Sequence, residues 1–260
     1  MNPGKPAKRR TLMDPETNDD ERGSPPRGID TKKLTLTAIL AAVYALGSFL
    51  PGFPILGLPG TKIDITRSLE MGYGFLLGPI YGPMAAFLGA IVGKLLTGGG
   101  FGMYFTPLAL VSSFTSATLI RDRFLNVKGW IWSASVLTLL IFGWYLLPAG
   151  RAMPAYPVLH FVALGIILVL RGRLTEFLRS EDRRILALGV TLGSYVSTMA
   201  GHMLGNLIFD LLVSPPPASY MALLPLVTVE RVAITVISTL LATPLIIVLR
   251  EMYPELVRGD

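Results

Sequence analysis

The chain has 260 residues, 52% of them hydrophobic and only 15% charged, with no cysteine and a formal net charge of +6. A soluble domain carries about 25% charged residues, so this composition, with a mean hydropathy of +0.57, excludes an ordinary globular protein and indicates a polytopic membrane protein. The lack of cysteine removes disulfides and thiolate metal sites, and His160 and His202 are too few to suggest a metal centre.

Residues 1–30 are rich in Pro, Gly and charge and nearly devoid of apolar side chains, which predicts a disordered cytoplasmic tail. The basic stretch 5–10 is followed by acidic residues rather than an apolar run, so it is not a signal peptide. Eight apolar runs then span a transmembrane domain over 31–253: 34–50, 67–77, 81–97, 104–120, 130–147, 157–170, 185–213 and 222–249. Residues 254–260 read as a second, short cytoplasmic tail. The second and third runs meet at Gly78-Pro-Ile-Tyr-Gly-Pro83. Proline there interrupts a helix, and backbone freed at membrane depth must be buried or wet. The break is therefore a tight hairpin at one membrane face or a broken helix within the membrane. The segment 171–184 is charged and amphipathic, as expected of a surface helix. The expected fold is an all-α membrane bundle of eight transmembrane helices, or six in total if two short runs fail to cross.

Lys and Arg orient such a chain. Eight precede Leu34, three lie at Arg121, Arg123 and Lys128, five fall between Arg171 and Arg184, and Arg250 and Arg258 follow the last run. With an even number of crossings all of these share one side, so both termini are expected in the cytoplasm and the chain in the cell membrane. Lys62, Arg67, Lys94, Arg151 and Arg231 remain for the other side. This distribution explains the excess positive charge without nucleic acid. Parity also makes the Gly78 break a hairpin at the cytoplasmic face.

The first run carries two overlapping Ala-x-x-x-Ala pairs, from Ala38, Ala41, Ala42 and Ala45, expected to share one helix face. Small residues four apart let membrane helices approach closely, either within the chain or against a partner. Charged groups at membrane depth cost about 2.5–3.5 kcal/mol on insertion scales and face cavities or partners. Asp64, Arg67 and Glu70 lie at the outer start of the second run, with Arg67 and Glu70 placed to pair on one helix face. Thr198, His202, Asn206 and Asp210 recur every four residues as a polar stripe, with Tyr195 nearby, and Glu230-Arg231 lies about two turns into the last run. These groups are either an interhelical hydrogen-bond network or the lining of an outward-opening pocket lidded by residues 51–66 and Pro215–Pro217. Enzyme signals are weak. Gly89-Ala-Ile-Val-Gly-Lys94 is one residue short of a Walker A loop and lacks its Ser/Thr. His202 has no candidate serine nucleophile at recognisable spacing.

The order of these features resembles the substrate-binding S component of energy-coupling factor (ECF) transporters. The first helix has Ala-x-x-x-Ala, a Gly/Pro loop follows, and a Gly-Pro-x-x-Gly hairpin opens a small-residue third helix. The last helix, from Pro225 to Leu245, is similar to that family's closing helix. The resemblance covers 34–120 and 185–250, with 130–170 as a helix pair inserted into a six-helix core. It implies a non-enzymatic subunit without a cofactor that binds a vitamin or related micronutrient, a riboflavin-type molecule being the first candidate. The implied substrate residues are Asp64, Arg67, Glu70, Tyr195, His202, Asn206, Asp210, Glu230 and Arg231. The implied docking residues are Ala38, Ala41, Ala42 and Ala45, and the implied partners are a membrane coupling subunit and two cytoplasmic ATPases. A self-sufficient secondary transporter or, less readily, a membrane enzyme are the alternatives.

Overall fold

Each of the apolar runs is helical in the computed structural model, which describes residues 1, 31–54 and 62–252. The terminal tails and the middle of the loop after the first run lie outside the described residues. The helices are α1 (Thr31–Gly47), α2 (Arg67–Leu96), α3 (Pro107–Leu119), α4 (Gly129–Leu146), α5 (Pro148–Ala152), α6 (Val158–Leu170), α7 (Gly172–Arg179), α8 (Arg183–Val213) and α9 (Ala218–Met252). A 3-10 segment, Gly100–Phe105, leads into α3. Two short antiparallel ribbons complete the chain: β1 (Gly52–Pro54) with β2 (Lys62–Asp64), and β3 (Arg123–Phe124) with β4 (Val127–Lys128). Leu125 and Asn126 join the latter pair with positive φ at both positions, the backbone a tight two-residue hairpin requires.

The expected eight crossings are not established by helix length and composition. Among the described residues four helices are long and apolar enough by length and composition to cross a membrane, namely α2 (if its two arms are counted as one), α4, α8 and α9, or five if α6 and α7, bent by 85° at their junction, count together. By contrast α1 has 17 residues and α3 and α6 have 13 each, short of the roughly 20 a straight crossing takes.

Although α2 is helical on both sides of Gly78, it is not straight. Gly78 has φ 78° and ψ −173°, a conformation open essentially to glycine. A Cβ placed on Gly82 would stand 2.7 Å from the carbonyl oxygen of Tyr73 and 2.8 Å from the Cα of Gly74. Residues eight apart along one helix are about 12 Å apart, so arms 67–77 and 79–96 fold back on each other. Pro79 opens the second arm, where its missing amide hydrogen leaves no bond unmade. The expected hairpin is present.

Small residues set the packing. The second arm of α2 lies on α1, where a Cβ at Gly89 would stand 2.6 Å from Tyr44 Cβ and 2.8 Å from the Ala41 carbonyl oxygen. Further along, Gly93 faces Ala45 and Ser48. The interior also contains hydroxyl pairs between helices, Thr118 with Ser133 at 2.7 Å and Ser194 with Ser238 at 3.0 Å, which bond where no water competes. At the end that holds Gly78, Arg179 pairs with Asp122 and Arg250 donates to the Ser180 carbonyl at 2.9 Å. The Arg121 guanidinium lies against Gly78, 2.9 Å from where a Cβ would stand.

Candidate functional site

Side chains from almost every part of the fold meet at the opposite end. The start and finish of α2 supply Arg67 and Lys94, the 3-10 segment Phe105, the second half of α8 His202 and Asn206, and the first half of α9 Tyr220, Glu230 and Arg231. They enclose a cavity of about 150 Å³, the volume at which an apolar cavity admits one benzene-sized ring.

The charged wall comes first. Arg231 and Glu230 are both buried, and their only mutual contact is 3.4 Å from Nη2 to Oε2. Arg231 Nε is buried with no hydrogen-bond partner. Arg67 Nη1 stands 3.5 Å from Glu70 Oε1, and its Nη2 donates to the Phe105 carbonyl at 3.3 Å. Both ion pairs are long for charge-assisted bonds, which run about 2.7–2.9 Å. Lys94 completes this wall from the last turn of α2. An aromatic wall faces it. Trp144, Tyr156 and Tyr220 form a mutual triangle with ring centroids 4.8–5.2 Å apart, and the two tyrosines line the cavity. Between the walls, His202 stacks on His160 at 5.2 Å and 7°, with Nδ1 to Nε2 at 3.2 Å. Among the described residues no three His, Asp or Glu side chains gather as metal ligands.

Of the residues expected at the site, Arg67, His202, Asn206, Glu230 and Arg231 line the cavity. Glu70 does not; it is buried one step behind Arg67, accepts a hydrogen bond from Tyr44 at 2.9 Å, and borders a smaller adjoining void. Asp210 is also behind the wall, where its Oδ1 accepts from Tyr220 at 3.1 Å and so fixes that ring. Tyr195 is displaced from the site: its hydroxyl donates to the Leu159 carbonyl at 3.1 Å, tying α8 to α6. The Asp64 backbone belongs to β2, but its side chain lies outside what is described.

The docking stripe on α1 divides. Ala38 and Ala42 face outward, together with exposed Leu34, Ile39 and Leu46. Ala45 is buried against Gly93, and half-buried Ala41 abuts Gly89. Four aromatic side chains around the cavity carry no site signal in the sequence. Tyr156 sits beside Pro157 in the connection before α6, Tyr220 lies in the first turn of α9 three residues after Pro217, and Trp144 and His160 belong to the helix pair expected as an insertion. That pair builds part of the site, with α4 and α6 both packed on α8. Lys94 carried a signal, a lone cation closing an apolar run.

The uncharacterized protein MJ0923 of Methanocaldococcus jannaschii is 30% identical over 208 residues, which cover 79% of this chain and 68% of that protein. The chain belongs to the MJ0923 family. No family model matches it. Among solved structures, the S-component for biotin from an ECF-type ABC transporter aligns over 84% of this chain and 94% of that one at 21% identity, with a TM-score of 0.28. A superposition that loose carries no weight for the assignment of function. The chain itself is a membrane helix bundle with a charged and aromatic cavity at one end.

Proposed function

We propose that the protein is the membrane-embedded substrate-binding subunit of an ECF-type importer, taking up a vitamin or related micronutrient. The observation that carries this is the cavity itself: buried charge and aromatic rings converge on a ring-sized space at one end of otherwise apolar helices. Buried charge in such helices is costly unless it faces a cavity or partner, and a small-molecule site combines apolar walls with a few convergent polar groups. The outward-facing Ala38 and Ala42 support a second element of the reading, close docking of α1 on a membrane coupling subunit that works with two ATPases. In this reading the chain passes the membrane eight times with both ends in the cytoplasm, and the cavity opens to the outside.

Affinity purification of the tagged full chain, co-expressed with candidate coupling and ATPase subunits from its own organism, tests this. A stoichiometric complex and ATP-dependent uptake of a co-purifying small molecule are expected. Uptake into liposomes by this chain alone, driven by an ion gradient, would instead establish a secondary transporter and overturn the proposal.

A further inference from the structure

The cavity asks for one kind of ligand. Among the described residues its lining presents three cations, Arg67, Lys94 and Arg231, and one carboxylate, Glu230. Behind the lining, Glu70 faces Arg67 at 3.5 Å and accepts from Tyr44, and Asp210 accepts from Tyr220. Arg231 is only 4% exposed, yet its Nε has no partner. Asn206, also buried and on the lining, leaves Nδ2 without an acceptor in hydrogen-bond geometry. Among the described lining residues the buried side-chain atoms left without a partner are these two donors, and a buried donor left unpaired is costly. What satisfies them is an acceptor, and beside paired but loosely held guanidinium groups that acceptor is favoured when it is anionic.

We infer that the site takes a compact carboxylate, its anionic head held by Arg231 with Arg67 and Lys94, and its ring or chain against Tyr156, Tyr220 and Leu226. This rests on the importer reading and narrows it. Glu230, committed to Arg231 at a single long contact, has acceptor capacity for an N–H or O–H on the same molecule. Riboflavin, uncharged at neutral pH and three rings wide, falls outside this class. Thiamine, a cation, does so too.

The test uses the full-length protein in lipid nanodiscs and isothermal titration with matched pairs: biotin and biotinamide, lipoate and lipoamide, nicotinate and nicotinamide, with riboflavin and thiamine alongside. At least one acid is expected to bind, with its amide weaker by about tenfold to a hundredfold, the loss expected for charge-assisted hydrogen bonds. In Arg231→Gln or Lys94→Gln protein the acid should weaken towards its amide while the amide is little changed; if Arg231→Gln does not fold, Lys94→Gln decides. Tyr195→Phe, outside the cavity, should preserve the discrimination. Equal binding of acid and amide, binding only of riboflavin or thiamine, or no binding of any acid overturns the anion assignment. None of these bears on whether the chain co-purifies with a coupling subunit, so failure of the importer reading is seen separately.

Discussion

Glu230 and Arg231 are neighbours in sequence, about 100° apart around a helix, and both nonetheless turn into the cavity at 6% and 4% exposure. That is possible because α9 meets α8 and the α2 arms on adjacent sides, so two faces of one turn are interior. Removing one member leaves the other buried and uncompensated, an effect of about 3–5 kcal/mol. Glu230→Gln is therefore expected to lower the thermal midpoint by roughly 6–20 °C, at about 2–4 °C per kcal/mol for a chain of this size. The double change Glu230→Gln/Arg231→Met should recover much of that loss in the same melting experiment while abolishing ligand binding. A double variant as unstable as the single one would show that the pair is not mutually compensating. Charge at membrane depth was visible in the sequence at these two residues because apolar neighbours isolate it. Asp210 and Glu70 gave the same signal, yet stand one layer back, each held by a tyrosine hydroxyl that only tertiary structure brings near.

At the level of elements, α1 shows how much a small-residue motif says and where it stops. The spacing of Ala38, Ala41, Ala42 and Ala45 identified a helix meant for close approach, but 3.6 residues per turn puts the two overlapping pairs on different faces. Gly89 and Gly93 take one face, and the other is exposed. Ala42→Leu should thus leave folding and ligand binding intact and abolish coupled uptake. Gly89→Leu should prevent α1 from seating, because the new side chain meets the Ala41 backbone, and size-exclusion chromatography of the detergent extract should show aggregated protein. Loss of folding in Ala42→Leu would place that face inside the fold. The Gly-Pro spacing similarly announced a break in α2, which charge parity rather than the spacing resolved into a hairpin, and Gly78 makes the turn with positive φ. The aromatic triangle was not announced: Trp144, Tyr156 and Tyr220 are unremarkable in their own segments and gain meaning only when α4, the α5–α6 connection and α9 converge.

For the whole molecule, the two ends differ in kind. One carries Gly78, the β3–β4 ribbon, α7 and most of the described Lys and Arg; the other carries the cavity. Orientation was inferred from charge alone, and the absence of native cysteine makes it directly measurable. Ala218→Cys and Glu181→Cys both replace exposed residues, one at each end. A membrane-impermeant maleimide should label Ala218→Cys in intact cells and Glu181→Cys only after permeabilisation. The reverse pattern would invert the proposed topology. Helix number is the feature least accessible from sequence, since α1, α3 and α6 are apolar enough to be read as spans but shorter than a straight crossing.

The contact of Arg121 with the Gly78 turn joins two kinds of information in one side chain. As one of the cations between α3 and α4, Arg121 contributes to the charge imbalance that an inserting chain uses to choose its sidedness. As the group lying over Gly78, it also abuts the joint on which the α2 arms close. The first role acts while the chain is being threaded and needs only charge; the second acts after the helices have met and needs shape. Replacing arginine with lysine at this position separates them, keeping the vote on direction while withdrawing the planar cover from the turn.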